Sequence, residues 1–179
     1  MWAFSDESER AGLMLVGVVL VPPGSVQDTR TALRGLLLPG ERQVHTAKES
    51  PRRRRVVLDT LAGIDELTAV ALRYRRPQRV DRPRARHLLL QAATGLALAS
   101  GVTSWVLDDQ DPVQRARDRA SIAHALAGVE HDLRPTYDHR PSRDEPLLWA
   151  ADAVCWAVGA GAEWRRRIQA VLTVRTINP

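Results

Sequence analysis

Four acidic residues lie at positions where packing alone does not explain a charge: Asp6, Glu49, Asp108 and Asp152. The first three flank segments that resemble strands or helices, whereas Asp152 is the only charged residue in the run 147–161. Burying a lone carboxylate is costly unless it is paired, protonated or bound to a metal ion. We therefore expect Asp152 to point toward the sheet and to belong to a functional site.

Carboxylates that converge from strand ends and helices form an oxygen-rich site of the kind that binds Mg²⁺ or Mn²⁺. Two such ions about 4 Å apart can activate a water molecule and stabilise the leaving oxygen during phosphodiester cleavage. Without a cation, the carboxylates repel one another and some of their pKa values rise. The four acids therefore predict a metal-dependent catalytic site that cleaves phosphodiesters.

Basic residues lie close to Glu49. His45 precedes it by four residues, where the imidazole could shuttle a proton or contact a phosphate. Lys48 could also reach a phosphate, and a solvated surface lysine is the alternative. Four consecutive arginines begin the next predicted helix and face all round its axis, so some of them must flank the proposed site. We expect them to bind a nucleic acid backbone, and they are Arg52, Arg53, Arg54 and Arg55.

Apolar periodicity divides the chain into strands and helices. Strands are predicted at 1–5 and 13–21, which form a hairpin, at 66–75 and 102–107, and briefly at 42–46. Helices are predicted at 25–38, 51–62, 84–100, 112–127 and 146–170, and the stretch 133–145 is predicted as a loop or weak strand. This order predicts a single α/β domain over 1–179, with three layers and a mixed central sheet flanked by helices.

The composition disfavours several classes of protein. The longest apolar stretch, 13–21, is too short for a bilayer span and lacks the basic start of a signal peptide. We therefore expect a cytoplasmic protein with no membrane partner. The single cysteine, Cys155, excludes an internal disulfide and a cysteine-based zinc site. The sequence has no Gly-rich phosphate loop or dinucleotide fingerprint, which disfavours enzymes with nucleotide cofactors.

The charge balance permits a polyanionic partner. The chain has 26 basic and 21 acidic residues, a formal net charge of +5, and Lys48 is its only lysine. Arginine keeps its proton and binds phosphate through a planar fork, which favours nucleic acid as the partner. A GC-rich genome also enriches arginine over lysine, so the arginine excess alone does not decide between the two explanations.

Four short motifs follow one another along the chain: Asp6-Glu7-Ser8, His45 with Glu49, Asp108, and Leu148-Trp149-Ala150-Ala151-Asp152. Their order resembles the ribonuclease H-like superfamily and, within it, the bacterial domain-of-unknown-function family 3800. Members of that family commonly open with an Asp-Glu-Ser-Gly turn, place a histidine before a helix and end with a Leu-Gln-x-Ala-Asp helix. The resemblance implies a ribonuclease H-like fold with Asp6, Asp108 and Asp152 as metal ligands and Glu49 as a fourth.

The sequence departs from the family pattern twice. Glu9 stands where a glycine is usual, which bears on the opening turn. Trp149 stands where a glutamine is usual, which removes a hydrogen-bonding group. Two pairs of adjacent acids also leave alternatives open, because neighbouring strand residues face opposite sides of a sheet. One member of each pair faces the site, and the pairs are Asp6 with Glu7 and Asp108 with Asp109.

Three functions are compatible with these residues. The leading hypothesis is a nuclease or nuclease-like protein that uses Mg²⁺ or Mn²⁺ to act on RNA, DNA or a hybrid. The alternative is a catalytically inactive ribonuclease H-like module that binds nucleic acid or a protein partner. A third is a structural protein that forms homo-oligomers through a tryptophan stripe, although such a stripe more often packs in a core. The stripe consists of Trp149, Trp156 and Trp164.

Overall fold

The computed structural model describes residues 1–77 and 80–178. Within these ranges six strands form one mixed sheet with helices on both faces, which confirms the predicted three-layer α/β architecture. The strands are β1 (Trp2–Arg10), β2 (Leu13–Val21), β3 (Thr68–Arg75), β4 (Ser104–Asp108), β5 (Thr136–Arg140) and β6 (Leu172–Thr176). The helices are α1 (Val26–Arg34), α2 (Pro51–Ala62), α3 (Arg82–Ala99), α4 (Pro112–Ala125), α5 (Pro146–Ala160) and α6 (Ala162–Arg167). No helix in the described ranges is both long and apolar enough to cross a membrane.

The sheet has the order β5-β4-β1-β2-β3-β6, with the predicted hairpin at its centre. β1 and β2 pair antiparallel through a tight turn in which Ala11 has a φ of 49° and Gly12 a φ of 73°. Positive φ at both turn positions suits the right-handed twist of the flanking strands. β3 is antiparallel to β2, whereas β4 runs parallel to β1 and β5 parallel to β4. The parallel pairing brings the last residue of β4, Asp108, beside β1.

Two hydrophobic layers separate the sheet from its helices. α5 packs on one face against β1 and β2, with α1 and α2 beside it. α3 and α4 cover the other face, where Trp105 and Tyr74 are buried. Successive residues of β1 alternate between the layers, since Phe4 packs in the first and Ala3 in the second. Even-numbered residues of β1 therefore face α5, and odd-numbered residues face α3.

β1 is longer than the sequence predicts. The apolar pattern predicts an end at residue 5, with Asp6 closing the strand, whereas β1 pairs with β2 as far as Arg10. The polar residues 5–9 remain in the strand because pairing with β2 satisfies their main chain, and the layers on both sides give their side chains partners. Asp6 therefore lies inside a paired strand rather than at a strand end.

Two other predicted elements differ from the structure, one further strand is new, and one open alternative is resolved. Residues 42–46 form no strand, and the chain there runs into a 3₁₀ turn at Thr46–Lys48 that packs against α5. The helix predicted at 146–170 ends at Ala160 because Gly161 has a φ of 117°, outside the helical region. The chain then forms α6 and β6, and β6 was not predicted. The stretch 133–145 contains β5, which confirms the weak-strand alternative.

The sheet and α5 approach each other closely at Gly17 of β2. A Cβ atom on this residue would lie 2.7 Å from the Ala151 carbonyl oxygen and 3.0 Å from Cys155 Sγ. Only glycine therefore allows the backbone of α5 to come this near. Gly17 is paired in register with Asp6, and Ala151 is followed by Asp152. The missing side chain lets α5 place Asp152 above the strand that carries Asp6.

Gly17→Ala is expected to destabilise the fold by about 1–3 kcal/mol, because the added methyl group overpacks the contact with α5. Gly95→Ala is the matched control, since Gly95 is an exposed position of α3 where an added Cβ meets nothing within 4 Å. This control should gain up to about 1 kcal/mol from helix propensity. Chemical denaturation measures both free energies of unfolding, and equal values for the two variants would contradict the close packing.

Candidate functional site

Three of the four predicted acids line one cleft on the α5 face of the sheet, and they are Asp6, Asp108 and Asp152. The cleft has a volume of about 440 Å³. Its walls include the segment 43–48, the turn 141–143 and the α5 residues Trp149 and Trp156. The cleft is thus assembled from β1, the end of β4 and α5, three elements that are distant in sequence and adjacent in the fold.

Asp6 faces α5 from within β1. Its Oδ1 accepts a hydrogen bond of 2.6 Å from the Glu7 N–H. Burial raises the pKa of the Asp6 carboxyl well above its usual range, and the charges of Asp108 and Asp152 raise it further. The positive charge of Arg86 lowers the pKa of Asp6, but by less than burial and the two other aspartates raise it. At a pH above its raised pKa, Asp6 therefore carries a charge that the protein compensates incompletely.

Asp108 is held by one side chain from the turn 141–143 and by one from the residues that directly follow β4. Ser142 Oγ donates to Asp108 Oδ1 (2.6 Å), and Gln110 Nε2 donates to Oδ2 (2.9 Å). Burial raises the pKa of Asp108, and these two hydrogen bonds partly offset the shift. Trp149 Nε1 donates to the Ser142 main-chain oxygen (2.6 Å), so the indole fixes the turn that carries the serine. Trp149 is therefore itself a hydrogen-bond donor at the site.

Asp152 and His45 lie together in the cleft. The Thr46 N–H donates to Asp152 Oδ2 (2.8 Å), and His45 Nδ1 lies 3.5 Å from Oδ1. The hydrogen bond to Asp152 raises the pKa of His45, although partial burial opposes this shift. A larger fraction of the imidazole is therefore protonated near neutral pH than in a solvated histidine.

Glu49 does not line the cleft with the three aspartates. Its carboxylate lies 3.5 Å from Arg53 Nε, one helical turn further along. The 3₁₀ turn at Thr46–Lys48 forms part of the cleft wall, and Ser50 then caps α2 by accepting a hydrogen bond from the Arg53 N–H. The chain has left the cleft by residue 49, so the structure does not place Glu49 where the sequence predicts a fourth ligand.

The predicted phosphate-binding residues separate into two groups. Lys48 lines the cleft, and Arg52 and Arg55 are exposed. Arg53 and Arg54 are instead used within the fold, because their guanidinium groups donate to the main-chain oxygens of residues 36, 46 and 47. The bonds from Arg54 hold the 3₁₀ turn of the cleft wall in place.

Sequence reasoning missed several residues that line the cleft, among them the polar residues Gln43, Gln110, Ser142 and Arg143. The sequence could have indicated Gln110, because this residue follows Asp108 by only two positions. Ser142 and Arg143 lie in the stretch 133–145, where mixed polar residues and prolines carry no periodicity that would direct them toward a site.

The second acid of each adjacent pair has a cationic partner. Glu7 contacts Arg86 on the α3 face of the sheet. Asp109 accepts two hydrogen bonds from Arg115, of 3.0 and 2.6 Å. All four of these acids line the cleft, but within residues 1–77 and 80–178 only the second acid of each pair forms an ion pair, so Asp6 and Asp108 are the members without a cationic partner.

A buried ionic network lies behind β1, on the α3 face. Arg86 donates to both oxygens of Asp118, at 2.7 and 2.8 Å, and His139 Nε2 lies 3.3 Å from the same carboxylate. Burial acts to raise the pKa of Asp118, but the hydrogen bonds from Arg86 and His139 outweigh it and lower the pKa to about 2. Glu7 contacts Arg86 and lies 3.3 Å from Arg82, so its carboxylate has two cationic partners, unlike that of Asp6.

The ligand atoms available in the cleft are of the chemical type that binds a divalent cation. Three carboxylates supply hard oxygen ligands, and the raised pKa of Asp6 indicates a negative potential that a cation would relieve. Across residues 1–77 and 80–178, no three His, Cys, Asp or Glu side chains are arranged to hold an ion as they stand. Ion binding therefore requires the carboxylates to turn from their present hydrogen-bond partners.

Comparison with known proteins identifies the fold of the chain. No family model and no curated protein matches the sequence, so the resemblance to family 3800 stays a prediction. Among solved structures, the chain is similar to ribonuclease HII in its complex with PCNA from Archaeoglobus fulgidus, with a TM-score of 0.56 and 16% identity. The chain has the ribonuclease H-like fold. The match covers 94% of this chain and 75% of that one, and at this identity the likeness concerns the fold alone.

Asp6→Asn is expected to stabilise the metal-free ribonuclease H-like domain at neutral and alkaline pH. Because folding raises the pKa of this carboxyl, the wild type loses stability as the pH rises from the unfolded-state pKa of about 4 to the folded-state pKa, and the loss persists above it. The variant should therefore melt at a higher temperature than the wild type at about pH 8, and the difference should vanish below about pH 4. Each kcal/mol corresponds to about 2–4 °C in a chain of this size.

Thermal denaturation in EDTA across this pH range measures the effect. Asp59→Asn is the matched control, because Asp59 is exposed and pairs with Arg167 away from the cleft. It should show no stabilisation that grows with pH. A difference between Asp6→Asn and wild type that stays constant with pH would contradict an incompletely compensated charge at Asp6.

Proposed function

We propose that the protein is a divalent-metal-dependent nuclease that hydrolyses nucleic acid phosphodiesters in this cleft. The observation that carries the proposal is the convergence of Asp6, Asp108 and Asp152 from three separate elements, with the pKa of Asp6 raised well above its usual range. The ribonuclease H-like fold is consistent with it, and the similar solved structure is a ribonuclease by name.

The three aspartates would hold Mg²⁺ or Mn²⁺. When bound, such ions supply Lewis-acid activation of water and offset the negative charge of the phosphate. His45, with its raised pKa, can donate a proton to the leaving oxygen or a hydrogen bond to the phosphate. Lys48 on one wall and Arg143 on the other place positive charge on both sides of the cleft.

A second candidate function is a catalytically inactive ribonuclease H-like module that binds nucleic acid or a protein partner. It is favoured by the hydrogen bonds that already engage each aspartate, and by the absence of three assembled ligands in the described ranges. The similar ribonuclease HII is in a complex with PCNA, which is compatible with a protein partner.

Asp152→Asn is expected to abolish metal binding and to lower nuclease activity by at least about 100-fold, because it removes a charged ligand from the site. Calorimetric titration with Mg²⁺ and Mn²⁺ measures binding, and cleavage of labelled RNA, DNA and hybrid oligonucleotides measures activity. Asp59→Asn, with the same loss of charge at an exposed position, should keep both. If wild-type protein binds neither ion, or if Asp152→Asn leaves binding intact, the metal-dependent proposal is wrong.

The same assays separate the two candidate functions. An inactive module keeps its affinity for nucleic acid in chelator, cleaves no substrate and is indifferent to Asp6→Ala. Glu49→Gln tests the fourth ligand that the sequence predicts. Because Glu49 pairs with Arg53, we expect this variant to alter the stability of α2 rather than the affinity for metal.

A further inference from the structure

Two sequence motifs that the proposed active site does not use meet beside the cleft. They are the last two tryptophans of the stripe and two of the arginines that begin α2. The Trp156 and Trp164 rings lie 4.9 Å apart between centroids, at an angle of 72°. The Arg54 guanidinium lies 4.6 Å from the Trp156 centroid, and that of Arg55 lies 5.8 Å from the Trp164 centroid. We call these four residues the Trp–Arg cluster.

The Trp–Arg cluster is continuous with the cleft. Trp156 follows Asp152 by one turn of α5, and both side chains line the cleft. Arg54, which stacks on Trp156, also donates to the Thr46 and Ala47 main-chain oxygens at 3.0 and 2.7 Å. The ring is therefore held by a guanidinium that is itself fixed to the cleft wall. The remaining tryptophan of the stripe, Trp149, is buried and belongs to the core.

The surroundings of the cluster are basic. Two acids near the cluster are balanced locally, because Glu49, just before α2, pairs with Arg53, and Asp59 of α2 pairs with Arg167. On α6, Glu163 is exposed, as are two arginines. The exposed arginines on these two helices are Arg52, Arg55, Arg165 and Arg166. These four arginines outnumber Glu163, the acid on α6 that no arginine pairs with in the described part of the chain. The resulting excess of positive charge suits a polyanionic ligand.

We infer that the Trp–Arg cluster binds a single-stranded segment of nucleic acid that leads into the cleft. An unpaired strand offers base faces for the indole rings and phosphates for the arginines, whereas a duplex keeps its base faces within its own stack. This assignment of substrate class rests on the proposed function, because it takes the cleft to act on nucleic acid.

Binding to a labelled single-stranded oligonucleotide, compared with a hairpin duplex of the same sequence, tests the inference. Fluorescence anisotropy in EDTA measures both affinities without cleavage. The single strand should bind more tightly. Trp156→Ala should weaken its binding by about 5- to 100-fold, the range that corresponds to loss of one stacked base. Trp156→Phe should keep part of the affinity, because a smaller ring still stacks.

The charge contribution has its own control. Arg55→Gln should reduce the slope of log affinity against log salt by about 0.7 for the single strand, as expected for one lost phosphate contact. Arg119→Gln removes the same charge from an exposed position on α4, on the other side of the sheet, and should leave the slope unchanged. If Trp156→Ala fails to fold, Trp156→Phe and Arg55→Gln carry the test.

The outcomes separate this inference from the proposed function. Equal affinity for the single strand and the duplex, or unchanged affinity in the folded Trp156 variants, overturns the inference, even if metal-dependent cleavage is observed. Conversely, single-strand binding that depends on Trp156, without any metal-dependent cleavage, supports the Trp–Arg cluster as a binding surface and overturns the nuclease.

Discussion

The direct contact between α5 and the central hairpin sets the geometry of the cleft. Because Gly17 has no side chain, the Ala151 carbonyl oxygen rests against β2, and Asp152 is held above the strand that carries Asp6. Two packed backbones cannot move apart to relieve the repulsion between their carboxylates, and burial weakens the screening by water. The raised pKa of Asp6 is thus the electrostatic consequence of a packing contact.

Neighbouring carboxylates on the two faces of β1 have different kinds of partner. Glu7 shares Arg86 with Asp118 in a buried ionic network, and breaking such a network costs about 3–5 kcal/mol. The aspartates of the cleft mainly accept hydrogen bonds from neutral N–H and O–H groups, each contributing about 1.5–3 kcal/mol to a charged acceptor. Those bonds can be exchanged for contacts with a cation more readily than the ionic network can be opened. The ionic network on the α3 face therefore stays in place, whereas the aspartate side chains on the α5 face can turn toward a cation.

Local signals predict much of this arrangement. Apolar runs and turn residues predict the α/β order and the hairpin, and a lone charge in an apolar helix singles out Asp152. The position of Glu49 depends instead on the 3₁₀ turn before it, which Arg54 holds through main-chain oxygens that no sequence pattern identifies. β6 escapes prediction for a similar reason, because its five residues are largely exposed and pairing with β3 defines the strand. Contacts distant in sequence account for both differences.

The large number of arginines in the composition does not by itself indicate a nucleic acid surface, because several of them have roles inside the fold. Arg53 and Arg54 donate to main-chain oxygens, and Arg86 pairs with two buried acids. A planar fork of five donors suits these internal tasks as well as it suits phosphate, so the number of arginines does not measure a nucleic acid surface. What distinguishes Arg55 is its exposed position beside Trp164, near a cleft of carboxylates that would repel a polyanion. The placement of a few exposed cations therefore decides whether a polyanion can be held at this cleft.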